Sequence, residues 1–417
     1  MRGFLVVMLV LGCGPTPITP SSTQGPGLMN LDDTSAAGLA VACNANNNST
    51  ACVELGRLLH GAIGRDVDLD RTRAAALFHT ACELGNLDGC VWRGWVLWKG
   101  EGVMRDAAEA FRLFELTCKA KIDRACAGLA TVKWHGEGTP KDVAGATAML
   151  ENLCLRDDRE ACTTMADLYL ESQDPKAIAW ATRGCKLGSK EACFTLGLMT
   201  YMGLGMPADF AKGFVLLTRA CHLGHADGCA TLGASLLAGH NIAADPVEAV
   251  RLLERGCALG SFKACRVVAM AQLTGQGNAA IDVGAAAKAG KRACTNGDLG
   301  GCAILGLSYR QGAGVAKDLT RANTLFGRAC EKGIGESDGA GCFYLAESYY
   351  QGIGVAQDRA KAAELFAKAC GRRWGEGCAM LADQYVHGDG VPLDPSKADE
   401  FFKRACELGD ERACKTP

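Results

Sequence analysis

The chain has 417 residues, with 44 basic against 46 acidic side chains and a formal net charge of -2. So even a balance argues against a nucleic-acid binder, which needs a basic surface to displace counterions. This length is reached either by two or three globular domains or by a repeat array, because a single core stops growing. Beyond the N-terminus no stretch has the roughly 20 apolar residues that span a bilayer.

Arg2, followed by the apolar run Phe4 to Leu11, has the layout of a signal peptide. Val10-Leu11-Gly12-Cys13 then sets a small residue before a cysteine, an ending that resembles a bacterial lipobox. Cys13 would become the lipidated N-terminus after cleavage, and an ordinary secretory signal is the alternative. Acyl chains on Cys13 would hold the protein at a membrane surface, each buried methylene adding about 0.8 kcal/mol. Gly14 stands where an Asp would resemble an inner-membrane retention signal, which favours the outer membrane. Residues 14–34 carry Pro15, Pro17, Pro20 and Pro26 among Ser, Thr and Gly, and read as a disordered tether. The expected organisation is a signal peptide and lipidation site over 1–13, a linker over 14–34 and a folded body over 35–417.

Of 23 cysteines, 22 remain when Cys13 is set aside. They form eleven close pairs: Cys43 with Cys52, Cys82 with Cys90, Cys118 with Cys126, Cys154 with Cys162, Cys185 with Cys193, Cys221 with Cys229, Cys257 with Cys265, Cys294 with Cys302, Cys330 with Cys342, Cys370 with Cys378 and Cys406 with Cys414. In an exported chain an even, regularly spaced set reads as a disulfide framework. Each pair belongs to its own repeat, which constrains the pairing. Zinc is the competing use, but it favours short spacings such as C-x2-C with four converging ligands. No C-x-x-C-H is present for covalent haem.

First cysteines of successive pairs are mostly 36 residues apart, a period that means a solenoid. Offsets from each second cysteine show the unit. Cys342 is followed by Leu345, Tyr349, Gly352, Gly354, Val355, Asp358, Ala362, Leu365 and Phe366, and Cys302 by Leu305, Tyr309, Gly312, Gly314, Val315, Asp318, Ala322, Leu325 and Phe326. Cysteine, +3 and +7 lie on one stripe of a first helix of about three turns. Glycine at +10 ends it in the left-handed conformation. Aspartate at +16 caps a second helix, which carries a small residue at +20 and bulky ones at +23 and +24. Ten helix pairs fit between Cys52 and Cys406, after a first helix ending near Cys43. Each disulfide is then expected at the joint between hairpins, where it would help set curvature. Two units depart: Asp174-Pro175 replaces the glycine turn after Cys162, and four extra residues, about Ile334 to Ser337, enter the loop after Cys330.

Units such as CFYLAESYYQGIGVAQDRAKAAELFAKAC resemble the Sel-1-like repeat (SLR) family, relatives of the tetratricopeptide repeats, over nearly all of residues 40–414. The C-x7-C pairs narrow the resemblance to a cysteine-rich subgroup similar to the Helicobacter cysteine-rich proteins. The resemblance implies an all-α, right-handed superhelical solenoid of disulfide-linked αα-hairpins with a concave face, and adaptor or scaffold work. For the subgroup it also implies penicillin binding and weak β-lactamase activity in some members.

The enzymatic alternative lacks familiar residues. None of the twelve serines has Lys three positions later, and Ser337-Asp338-Gly339 and Lys415-Thr416-Pro417 are only partial look-alikes of lactamase motifs. H-E-x-x-H and G-x-S-x-G are absent, and the G-x5-G-K of Gly284 to Lys291 is too long for a P-loop. His222, His225 and Asp227 are the nearest approach to a metal set and read as surface residues, so no metal or cofactor is expected.

Binding has more support, because solenoids expose long concave surfaces. Positions +1, +5 and +8 of the first helix vary between units. The +8 row includes Trp98, Trp134, Tyr201, Arg310 and Tyr350, residue types that anchor interfaces. Trp92 and Trp95 are read equally well as packing between hairpins. A groove around Trp98, Trp134 and Tyr201 is expected to hold an extended peptide or a cell-wall fragment. Expected partners are thus a protein or peptide, with cell-wall fragments or a β-lactam as further classes. Membrane contact is through the lipid anchor only, and nucleic acid is excluded.

Overall fold

A computed structural model describes residues 35–61, 70–239, 241–275, 280–332 and 339–415. Cys13, the segment 14–34 and the insertion about Ile334 to Ser337 lie outside the described residues. Those residues form 21 α-helices and no strand.

The chain divides into two compact units, one reaching Leu232 and including Ala258–Gly260, the other Gly233–Cys257 with Ser261 onward. The first unit opens with α1 (Ala36–Asn46). The pairs α2 (Ser49–His60) with α3 (Arg71–Glu83), α4 (Leu87–Lys99) with α5 (Ala107–Lys119), and α6 (Asp123–His135) with α7 (Val143–Leu155) follow. Next come α8 (Arg159–Glu171) with α9 (Lys176–Lys186), α10 (Lys190–Met202) with α11 (Phe210–His222), and the start of α12 (Ala226–Ala238). The second unit takes up the end of α12 with α13 (Pro246–Ala258), then α14 (Phe262–Thr274) with α15 (Val283–Thr295) and α16 (Leu299–Gln311) with α17 (Leu319–Lys332). It closes with α18 (Gly339–Gln351) and α19 (Arg359–Gly371), α20 (Gly375–His387) and α21 (Pro395–Glu407), and a short 3-10 turn, Ala413–Lys415.

Local chemistry explains why the elements start and stop where they do. Gly100, Gly136, Gly203 and Gly312 end first helices at φ between 71° and 76°. Asp106, Asp142 and Asp209 then accept hydrogen bonds from the amides three residues on, at 2.8–2.9 Å, and so start the second helices. In the shortened unit Ser172 ends α8 and Asp174 Oδ1 accepts from the Lys176 amide at 2.9 Å, so α9 has only 11 residues.

First helices are packed nearly all round: α16 is buried from Gly300 through Ser308. Second helices bury one face. At +24, Phe114, Leu150, Leu217, Leu253, Phe326 and Phe366 are all fully enclosed. Burying each such side chain stabilises by roughly 1.5–3 kcal/mol.

Eleven disulfides link the pairs read from the sequence, with Cα–Cα separations of 4.4–4.8 Å. In most of them the first cysteine is the penultimate residue of a second helix and its partner is the fourth residue of the following helix. Cys82 bonds Cys90 in this way, Cys118 bonds Cys126, Cys154 bonds Cys162 and Cys185 bonds Cys193. Cys221 bonds Cys229 and Cys257 bonds Cys265 at the same two positions. So do Cys294 with Cys302 and Cys370 with Cys378. The ends of the array differ. Cys43 lies deeper inside α1 and bonds Cys52 across nine residues, while Cys406 bonds Cys414, which is exposed in the 3-10 turn Ala413–Lys415.

Glycine at +12 makes a further joint. A Cβ on Gly138 would overlap the Ala107 carbonyl oxygen, and one on Gly102 the Arg71 carbonyl oxygen, so each turn rests directly on the start of the preceding hairpin's second helix. Gly205 is looser, its nearest neighbour being Ile178 Cδ1 at 3.4 Å, because the unit below lacks its glycine turn.

The disulfides point to an oxidising, exported location. Among the described residues no helix is long and apolar enough to cross a membrane.

Candidate functional site

The +8 side chains stand at the C-terminal ends of first helices, where each meets a neighbouring helix. In the first unit Trp98 is half-buried, with its ring 5.7 Å from Trp95 and 5.6 Å from His135 in the following repeat. Its Nε1 is enclosed without a hydrogen-bond partner. Trp134 is half-buried and meets Tyr169 of the next repeat edge-on at 5.3 Å. Tyr201 is half-buried against Phe210 at 5.2 Å and Phe214 at 5.4 Å, the second helix of its own hairpin.

In the second unit, Arg310 donates to Glu347 Oε2 at 2.9 Å and lies 5.0 Å over the Tyr344 ring. Tyr350 donates its hydroxyl proton to Asp389 Oδ2 at 2.9 Å, and that bond raises the phenol's pKa. Arg359 completes the arrangement, 2.6 Å from Asp389 Oδ1 and 5.4 Å over the Tyr350 ring. The structure thus places the five residues at inter-helix contacts, each presenting part of its surface. Trp92 and Trp95 belong to the core. Trp92 stacks on Phe78 at 5.0 Å, and Trp95 meets Phe114 edge-on at 4.8 Å.

Several polar groups were not singled out by sequence reasoning. His60, the +8 residue of its repeat, sits 2.8 Å from Glu101 Oε2. Burial opposes ionisation of Glu101, but the hydrogen bond and charge of His60 outweigh it and hold the carboxyl below its usual range. Lys99 Nζ is enclosed without a hydrogen-bond partner, and burial lowers its pKa to about 8. Asp167 is 8% exposed with Thr195 Oγ1 donating to it at 3.3 Å, and burial pushes its carboxyl up to about 8. The available signal was a charged residue at +5, which holds Trp95, Leu198 and Leu307 in some units, but Arg57, Glu347 and Asp383 share it, so the letter alone does not single Asp167 out. Arg124 and Glu160, both two residues before a second cysteine, pair through two 2.9 Å bonds across successive hairpins.

His225 has a structural task. Its Nδ1 accepts the Gly228 amide proton at 3.0 Å at the start of α12, its ring stacks on Phe194 at 4.2 Å, and burial lowers its pKa. Among the described residues no three His, Cys, Asp or Glu side chains are arranged to hold a metal.

One hairpin tip is apolar. Met202, Leu204 and Phe210 are all exposed around the turn between α10 and α11, beside the shortened unit. No other described turn exposes three large apolar side chains. Glu101, Glu137 and Asp389 stand where Leu204 does in their own repeats.

Comparison with known proteins places this architecture. The Sel1 repeat model matches nine segments, 49–86, 88–121, 123–154, 160–189, 190–225, 226–261, 301–334, 339–372 and 375–410. No curated protein matches the sequence significantly. Among solved structures, a protective antigen present in uropathogenic Escherichia coli strains, which displays an SLR fold, is similar at 20% identity and a TM-score of 0.59. That alignment covers 92% of this chain and 91% of the antigen. A Sel1 repeat protein from Oxalobacter formigenes is similar at 23% identity and a TM-score of 0.54, over 58% of this chain and 96% of that protein. Helicobacter pylori cysteine rich protein B shares 31% identity over 32% of this chain and 93% of its own, with a TM-score of 0.27. With its repeats matched over more than half its length and its hairpins stacked in the SLR fold, the chain belongs to the Sel1-repeat family, scaffolds that typically mediate protein interactions.

Proposed function

We propose that the protein is a cell-envelope lipoprotein, anchored through Cys13 and a tether over residues 14–34, whose repeat body binds an extended protein segment. The exposed apolar tip of Met202, Leu204 and Phe210 carries this reading. Each of the three leaves about half of its apolar surface in water, although Phe210 also packs on the Tyr201 ring, and such clusters mark binding surfaces. The half-buried Trp98, Trp134 and Tyr201 continue the +8 row on the same unit, held rigid by ring contacts that limit the entropy lost on binding. Arg310 and Tyr350 supply polar anchors of the same kind in the second unit. Export is supported by the eleven disulfides, and the outer membrane by Gly14 following Cys13.

Crosslinking in intact envelopes tests the binding reading. Leu204→Asp is expected to lose at least tenfold of the captured partner while leaving the thermal transition of the purified body in place, and Trp134→Ala to lose capture with some loss of stability from its Tyr169 contact. Unchanged capture by these variants and by Trp98→Ala would overturn it. Labelling with radioactive palmitate that disappears in Cys13→Ala tests the anchor.

A further inference from the structure

Cys342 carries a contact that distinguishes it among the joint cysteines. Arg372, in the next joint along the chain, directs Nη1 onto Cys342 Sγ at 3.1 Å. Its loop is held there by packing. A Cβ on Gly339 would lie 2.9 Å from Trp374 Cβ and 3.6 Å from Arg372 Cβ, and the Trp374 ring centroid is 6.2 Å from that of Phe343. The equivalent position, two residues after a first cysteine, is uncharged in most other pairs, as at Leu84, Ala120, Leu187 and Asn296, and is Lys332 in the Cys330 pair itself. Arg156 shares the position but is 3.8 Å from Asp123.

Cys342 is also the fourth residue of α18, in the turn where free amides and the helix dipole favour negative charge. Cys330 is near the C-terminal end of α17, where the dipole has the opposite sign. A guanidinium against Sγ adds to the first effect. Both favour negative charge on the Cys342 sulfur, and a stabilised thiolate is the better leaving group and the more stable product of reduction.

We infer that the Cys330–Cys342 disulfide is a thiol–disulfide exchange site, with Cys342 as the leaving sulfur and a dithiol as its reaction partner. One thiolate of the dithiol attacks Cys330 Sγ, the Cys330–Cys342 bond breaks, and the electron pair leaves on Cys342 beside Arg372. The second thiol of the reagent then attacks the mixed disulfide and releases Cys330. Two electrons pass from the dithiol to the two cysteines, the reagent closes to a cyclic disulfide, and the proton not taken up by Cys342 goes to solvent. The covalent tie between α17 and α18 opens, and a disulfide reagent closes it by the reverse steps. Both sulfurs are buried, which slows exchange but leaves the equilibrium position to the stability of the products.

The test equilibrates the full folded chain with dithiothreitol and its oxidised form at fixed ratios, quenches by alkylation, and maps each pair by mass spectrometry. Cys330–Cys342 is expected to reduce at a higher proportion of oxidised reagent than Cys370–Cys378 or Cys294–Cys302. Arg372→Gln should lower its reduction equilibrium constant about tenfold, the size of effect expected from removing one charge-assisted contact, with the neighbouring pairs unchanged. Arg372→Lys should restore part of the difference. If Arg372 only held the joint together, Arg372→Gln would make the pair easier to reduce, and that opposite sign overturns the inference. So does simultaneous reduction of all buried pairs.

Discussion

Asp167 provides the sharpest test of how these joints respond to pH. The carboxyl lies in α8 between successive first helices, 8% exposed, with Thr195 Oγ1 donating to Oδ1 at 3.3 Å. Burial, reinforced by the charge of Glu191, pushes it from 3.8 up to about 8. The folded protein therefore keeps a proton that the unfolded chain loses as pH rises past 3.8. Stability from this group is fully present below pH 4, falls as pH rises toward 8, and is constant above. At about 1.36 kcal/mol per pH unit, holding the proton at pH 7 costs up to about 4 kcal/mol. Water entering a loosened joint lowers the figure, so Asp167→Asn is expected to gain about 1–4 kcal/mol at pH 8. Asparagine has the same shape, keeps an acceptor for Thr195 and does not titrate. Urea unfolding of both proteins with disulfides intact, at intervals from pH 4 to 9, gives the measurement. The difference should be near zero at pH 4 and grow to a plateau near pH 8. Parallel curves, or a less stable variant at pH 8, would refute the reasoning.

Lys99 should show the mirror effect, because burial lowers its pKa from 10.5 to about 8. Its cost is complete below pH 8 and disappears as pH rises to 10.5, so Lys99→Met should be more stable by up to about 3 kcal/mol at pH 7 and converge with the parent above pH 10.5. Gly138→Ala and Gly205→Ala both place a side chain at φ +72°, at a shared cost of about 1 kcal/mol. Only the first drives a Cβ into backbone, so it should lose about 2 kcal/mol more in thermal unfolding. Replacing Cys82 and Cys90 together by serine should lower stability by about 2.5 kcal/mol, the chain-entropy value for so short a loop. Hydrogen exchange should place the loss at the start of α4, and an equal loss of protection across the whole chain would count against a local joint.

The period of 36, the eleven cysteine pairs and the glycine and aspartate punctuation made the hairpins legible without coordinates, because each depends on residues a few positions apart. Glycine at +10 and aspartate at +16 act on their own backbone, so their meaning does not depend on what packs nearby. The joint disulfides were legible for the same reason: eight residues in a tight turn leave little choice of partner. The candidate site was less so. Trp92, Trp95 and Trp98 look alike as letters, yet Trp92 and Trp95 are enclosed by Phe78 and Phe114 while Trp98 keeps part of its surface. That difference arises from contacts with other helices, which spacing within one helix does not encode.

The sequence by itself determined where each helix begins and ends, which cysteines join and how many hairpins follow one another, since these are set by local backbone chemistry. Only the tertiary structure decided which polar groups are stranded between hairpins. Asp167, Lys99 and the pair of Arg372 with Cys342 become distinctive through neighbours about 30 residues away: burial by them shifts the first two, and the guanidinium they hold in place acts on the third.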